Sequence, residues 1–133
     1  MKDSYILDSS IWIALERGIP FICEKAVPLI QKNKVCLIDV IVAEVLRGTK
    51  TRRDFLTLKK AFQNFRWLST RWEGVTDLAF LTAQKGFQPP LVDLYIAQCV
   101  IENKKTLITQ DKHFYHIAKV SPLKHILWGQ ISG

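Results

Sequence analysis

The sequence predicts an α/β fold in three layers, a central and mainly parallel sheet with helices on both faces. Two observations predict it. Short apolar runs at 4–7, 35–38, 66–68, 106–109 and 125–128 have strand length, and the segments between them carry apolar residues at three- and four-residue intervals. Strands that alternate with helices, and that are apolar on both sides, form a parallel sheet covered on each face.

Tyr5-Ile6-Leu7 is too short for a helix and reads as a buried strand. Asp8 then stands at its carboxyl end, and Ser9-Ser10 can start the helix Ile11-Trp12-Ile13-Ala14-Leu15. After the run at 35–38, Glu44 shares a helix face with Val40 and Ile41, and Gly48 stops that helix. Phe55, Leu58, Phe62 and Phe65 make the next stripe, with Arg53 and Lys60 on the opposite side. Val75, Leu78, Ala79, Thr82 and Ala83 make another, ending at Lys85-Gly86. Pro89-Pro90 hold off the following helix until about Leu91, and Asp93 heads its inward stripe of Ile96, Ala97, Val100 and Ile101. Thr106-Leu107-Ile108-Thr109-Gln110-Asp111 repeats the strand-then-acid pattern and leads into a short helix with Phe114, Ile117 and Ala118. In open parallel sheets ligands bind beyond the carboxyl ends of strands, where Asp8 and Asp111 stand, provided their strands are neighbours.

Asp8, Glu44, Asp93 and Asp111 thus each sit where an apolar element begins or packs. A carboxylate against buried surface costs on the order of several kcal/mol unless a cation compensates it. Arg47, three residues after Glu44, is the one basic partner evident nearby in sequence, so a metal ion is the compensator the pattern calls for. Each acid has an ordinary reading as well. Asp8 and Asp111 suit helix N-caps, Asp93 suits a helix dipole, and Glu44 with Arg47 suits a surface pair worth about 0.2–0.5 kcal/mol. Taken together, the four favour a single site.

A chain of 133 residues that is 48% hydrophobic reads as one domain, 1–133, without linker, repeat or low-complexity segment. Such a chain buries about two-thirds of its unfolded surface and needs no disulfide. Cys23, Cys36 and Cys99 are odd in number and lie among apolar residues, so they read as core thiols in a reducing compartment. Met1-Lys2-Asp3-Ser4 lacks a signal peptide's apolar run and no stretch reaches membrane-spanning length, so a cytoplasmic location is expected, with no membrane partner.

Lys and Arg total 19 against 12 acids, a net charge of +7. If four of those acids share one pocket, the rest of the surface is more basic still, which suits a polyanion substrate. Lys50, Arg52, Arg53, Lys59 and Lys60 form either a solvated helix face or a phosphate-binding surface. Arg47 suits a helix carboxyl end or a substrate phosphate. His113 and His116 have no cysteine or third histidine nearby, which disfavours zinc. Trp12 and Trp72 suit core or a subunit contact, and Trp67 and Trp128 suit strands; Asp39, Asp54 and Asp77 read as solvated or capping residues.

Tyr5-Ile6-Leu7-Asp8-Ser9-Ser10, Val42-Ala43-Glu44-Val45-Leu46-Arg47-Gly48, Leu91-Val92-Asp93-Leu94-Tyr95-Ile96-Ala97 and Leu107-Ile108-Thr109-Gln110-Asp111-Lys112-His113-Phe114 resemble the four signature blocks of the PIN domain. Their order and spacing most resemble the VapC-type toxins of toxin–antitoxin pairs. The resemblance covers essentially the whole chain. It implies a metal-dependent endoribonuclease in which Asp8, Glu44, Asp93 and Asp111 converge on Mg2+ or Mn2+, with Ser10 and Thr109 at the accompanying hydroxyl positions. Asp8 and Asp93 are expected closest to the metal, with Glu44 and Asp111 orienting water or holding a second ion. Water attack on RNA would leave a 3′-hydroxyl and a 5′-phosphate, with Arg47, Arg53, Lys60 and His113 as candidate substrate contacts. The resemblance further implies a cognate antitoxin and a homodimer. Many relatives carry a further Asp two residues after the last acid; His113 stands there, which weakens the case for a second metal.

Other readings stay open: a PIN-type RNA-processing nuclease outside a toxin–antitoxin pair, or a non-catalytic RNA-binding module. A receiver-like phosphoacceptor would need paired acids after the first strand, and Asp8 has no such neighbour.

Overall fold

The structure, a computed structural model, describes residues 4–129, so residues 1–3 and 130–133 of the expected domain lie outside the described residues. The elements run β1 (Tyr5–Leu7), α1 (Ser9–Glu16), α2 (Pro20–Gln31), β2 (Val35–Ile38), α3 (Asp39–Arg47), α4 (Arg52–Phe62) and β3 (Trp67–Leu68). They continue α5 (Trp72–Gln84), α6 (Leu91–Glu102), β4 (Thr106–Thr109), α7 (His113–Lys119) and β5 (His125–Leu127). Every strand pairing is parallel, in the order β3-β2-β1-β4-β5. With helices on both faces this is the expected three-layer α/β/α arrangement.

β1 lies at the centre because it is apolar on both faces: Ile6 and Leu7 are buried, with Ile6 opposite Cys36 on one side and Leu107 on the other. All four residues of β2 are buried too. From β1 the chain moves outward to β2 and β3, then crosses back to β4 and β5 on the far side. That reversal opens a crevice beyond the carboxyl ends of β1 and β4, where open parallel sheets place ligands. The neighbour relation required of the two acid-bearing strands therefore holds.

Trp12 joins α1 to α4 by edge-on contacts with Phe62 at 5.1 Å and Phe65 at 5.8 Å, so it is core. Its indole Nε1 is a buried donor with no partner among the described residues. Trp72 is 54% exposed and leans on Tyr95. Trp67 is an exposed strand residue, and Trp128 follows β5, buried, its N–H donating to the Thr109 carbonyl at 2.9 Å. Cys36 and Cys99 are buried, Cys23 is half-buried and all three are free thiols. Burial, with the charges of Asp39 and Glu102 behind it, pushes the Cys99 thiol up to about 12, so it is inert.

Several boundaries differ from expectation. α4 stops at Phe62, and a turn rather than a helix brings Phe65 to Trp12. The α5 stripe is narrower, because Ala83 is exposed while Val75, Leu78 and Thr82 are buried. α2 was not anticipated; it buries only Ile22 and Ala26 and carries Pro28 inside it, which leaves a weak periodic signal. Among the described residues no helix is long and apolar enough to cross a membrane.

Candidate metal centre

Asp8 follows β1 at the N-cap position of α1 with extended backbone and is only 5% exposed. Its side chain makes no capping hydrogen bond to that helix. Instead its Oδ2 accepts from Thr109 Oγ1 at 2.8 Å and, more weakly, from Ser10 Oγ at 3.4 Å. Thr109 ends β4 fully buried, and its hydroxyl oxygen accepts the Asp111 N–H at 2.9 Å. Ser10 Oγ likewise accepts the Gln110 N–H at 3.2 Å. Two hydroxyls thus fasten the end of β1 to the end of β4 and aim Asp8 and Asp111 into the same crevice. Burial raises the Asp8 carboxyl above its ordinary range, the Thr109 and backbone hydrogen bonds pull it partly back, and the charge of Asp111 raises it further.

The other two acids arrive on helices. Pro90 starts α6 and leaves Asp93 in its first turn, facing the crevice rather than open solvent. Burial, then the negative charges of Asp111 and Asp8, push Asp93 up to about 6, with His113 opposing. Glu44, on α3, is half-buried and also raised, first by burial and then by the charges of Asp8 and Asp93; Arg47 acts in the opposite sense. Asp8 and Asp93 are thus raised in part by the charge of Asp111, and Glu44 by those of Asp8 and Asp93. Asp111 is not the N-cap of α7, a place that Lys112 takes without a side-chain capping bond; its Oδ1 instead accepts the His113 N–H at 2.9 Å from just ahead of that helix.

His113 is the departure from an all-acid site. Its Nδ1 lies 3.3 Å from Asp111 Oδ1 and 3.8 Å from Asp93 Oδ2. One ligand atom from each of these three residues falls within 4.8 Å of the others. A cation holding ligands at roughly 2.0–2.2 Å spans about 4.3 Å between opposite ones, so small side-chain movements suffice to close around it. The donor set is hard oxygen with one imidazole nitrogen, and the crowding that raises Asp93 is what a divalent cation relieves. Asp93, Asp111 and His113 fit a divalent metal, while Asp8 and Glu44 fall outside that close group.

A hollow of about 700 Å³ opens beside Asp111, the one of the four acids that lines it, with Ser10, Gln110, Lys112, His113, Leu127 and Gly129 around it, large enough for a nucleotide unit. Arg47 is exposed at the end of α3. Arg53 and Lys60 are exposed on α4, which packs against α3, and neither is brought to the carboxylates by a hydrogen bond or ion pair among the described residues. Lys59 lies over the Phe55 ring on the same helix at 5.6 Å. Asp39 does more than cap: Oδ1 accepts the Val40 N–H at 2.9 Å and Oδ2 accepts the Tyr95 hydroxyl at 3.0 Å. That bond ties the helix carrying Glu44 to the helix carrying Asp93. An aspartate at a helix start was legible, but its partner 56 positions away was not. Asp54 lies in the first turn of α4 and Asp77 is exposed, as expected.

The family model for the PIN domain matches residues 5–120. No curated protein matches the chain by sequence. Among solved structures it is similar to VapBC2 from Rickettsia felis, bound there to a DNA fragment from their promoter, at 19% identity and a TM-score of 0.76 over 93% of this chain and 98% of that one. It is similar to VapBC-1 from nontypeable Haemophilus influenzae at 21% identity and a TM-score of 0.74, covering 93% and 97%. VapBC-5 from Mycobacterium tuberculosis, a member of the VapBC family of toxin-antitoxin systems, gives 19% identity and a TM-score of 0.67, covering 93% and 98%. At such identities these likenesses speak for the fold.

Proposed function

The chain belongs to the PIN-domain family, and from that premise we propose that it is a Mg2+- or Mn2+-dependent endoribonuclease, the toxin of a toxin–antitoxin pair, with 1–133 forming one nuclease domain. The observation that carries the reading is geometric: hydroxyls of Thr109 and Ser10 fasten Asp8 to the end of β4 beside Asp111, and ligand atoms of Asp93, Asp111 and His113 lie within 4.8 Å of one another there. The toxin role is supported by the likeness to VapBC-5, a member of the VapBC family of toxin-antitoxin systems.

In this reading Asp8 and Asp93 would hold the cation most closely, while Glu44 and Asp111 would orient the attacking water or share a second ion. The bound cation would supply a lowered pKa for that water and stabilisation of the charge developing on phosphorus. Thr109 and Ser10 hold the Asp8 carboxylate in place before substrate arrives, so little reorganisation is needed during reaction. Arg47, Arg53 and Lys60 contact RNA phosphates from the exposed side of α3 and α4, and His113 stands where substrate and cation meet. No serine, cysteine or histidine nucleophile is required, and the products carry a 3′-hydroxyl and a 5′-phosphate. A cognate antitoxin would cover the acidic crevice, and the working form is a cytoplasmic homodimer.

The test is expression of this chain beside an Asp8→Asn variant, scoring growth arrest and sequencing RNA ends. Arrest and new 5′-phosphate ends from the wild type alone are expected. Equal toxicity from both would remove the nuclease reading.

A further inference from the structure

We infer that His113 is a cation ligand, and that its imidazole makes the Asp93, Asp111 and His113 corner favour later transition-metal divalents such as Co2+ over Mg2+, with Mn2+ between them. This deepens the proposed function and rests on its reading of the cluster as a metal centre.

Three observations carry it. Adjacent ligands of a six-coordinate cation sit about 3 Å apart, and the Nδ1 distances of 3.3 Å to Asp111 and 3.8 Å to Asp93 are near that spacing. The His113 N–H bond to Asp111 Oδ1 at 2.9 Å fixes the main chain so that the imidazole leaves it on the carboxylates' side. The ring is also 65% exposed, so it can swing inward at little cost, and ion pairing at such exposure contributes little that would hold it back. His116 packs instead near Phe87 at 6.2 Å and Tyr115 at 5.7 Å, and His125 lies on β5 near Tyr115. Mg2+ takes oxygen ligands and retains water, whereas an imidazole nitrogen adds affinity for later first-row metals. An aspartate at this position would leave no such preference.

The test uses the full chain without RNA, titrated with Mn2+, Co2+ or Mg2+, and electron spin-echo spectra of the Mn2+ form to detect a coordinated nitrogen. The expected result is a nitrogen coupling in the wild type that His113→Ala and His113→Asp remove and His116→Ala retains. His113→Ala should weaken Co2+ by about tenfold or more while moving Mg2+ less than about twofold, with Mn2+ between them, and His113→Asp should narrow the gap between Co2+ and Mg2+. No coupling in the wild type, its survival in His113→Ala, or its loss in His116→Ala would overturn the inference. Because no RNA is present, these outcomes are separate from those of the toxicity experiment: nuclease activity with an all-oxygen Mn2+ site would sink this inference alone.

Discussion

Replacing Asp93 with Asn is expected to stabilise the metal-free protein at neutral pH while weakening its response to divalent cations. In the folded state this carboxyl is raised from 3.8 to about 6, chiefly by burial and then by Asp111 and Asp8. Between those values the folded state keeps a proton that the unfolded state has released. Stability therefore falls as pH rises through that window and stays reduced above it. The full shift corresponds to about 3 kcal/mol. The side chain is 18% exposed at the rim of an open crevice, so solvent screening brings the expected gain to about 1–2 kcal/mol. Asparagine keeps the shape and removes the charge, giving up a 3.8 Å contact with His113 and the favourable place of a negative charge in the first turn of α6, which keeps the net gain toward the lower end of that range. The assay is urea unfolding of both proteins in chelator from pH 4 to pH 8. The variant should match the wild type near pH 4 and exceed it by about 1–2 kcal/mol above pH 7. Mn2+ should then raise the wild type more than the variant, by mass action on the folded state. A variant no more stable than the wild type at high pH, or a gap that does not change with pH, would refute the reasoning.

Thr109→Val should cost about 2 kcal/mol in urea unfolding, since it strips a buried donor from Asp8 and an acceptor from the Asp111 N–H, whereas Thr109→Ser should cost about 1 kcal/mol or less. Equal losses would mean that the methyl group, not the hydroxyl, matters there. Gly86→Ala should lower stability by about 1 kcal/mol, measured by thermal unfolding, because the residue that ends α5 has φ +96°, where a side chain is strained. No loss would mean the backbone relaxes freely at that helix end.

The strands were legible because they are short, apolar on both faces and bounded by polar residues; even the two-residue β3 fell inside an expected run. The order β3-β2-β1-β4-β5 was not legible, since neighbours such as Ile6 and Leu107 carry no local mark of their pairing. Of the candidate site, Asp8, Asp93 and Asp111 stood out by their places at element ends, and Glu44 by sharing a helix face with Val40 and Ile41. Thr109 was signalled by resemblance alone, and its two hydrogen bonds emerge only when β1 and β4 lie side by side. α2 escaped notice because Pro28 interrupts a helix with few buried residues. Phe65 was assigned to the right cluster by the wrong geometry, since hydrophobic spacing cannot tell a fourth helical turn from a bend that folds the ring back.

The side-by-side placement of β1 and β4 has a consequence for timing. Asp8 emerges early in synthesis, but the threonine that steadies it lies 101 positions later, and β1 lacks one of its two neighbours until that stretch is made. Distant pairings form late, and growing chains fold from the N-terminal side. A partly translated copy thus lacks the hydroxyl that fixes Asp8, and the two strand-end carboxylates can meet only once the segment around residue 106 has emerged and docked.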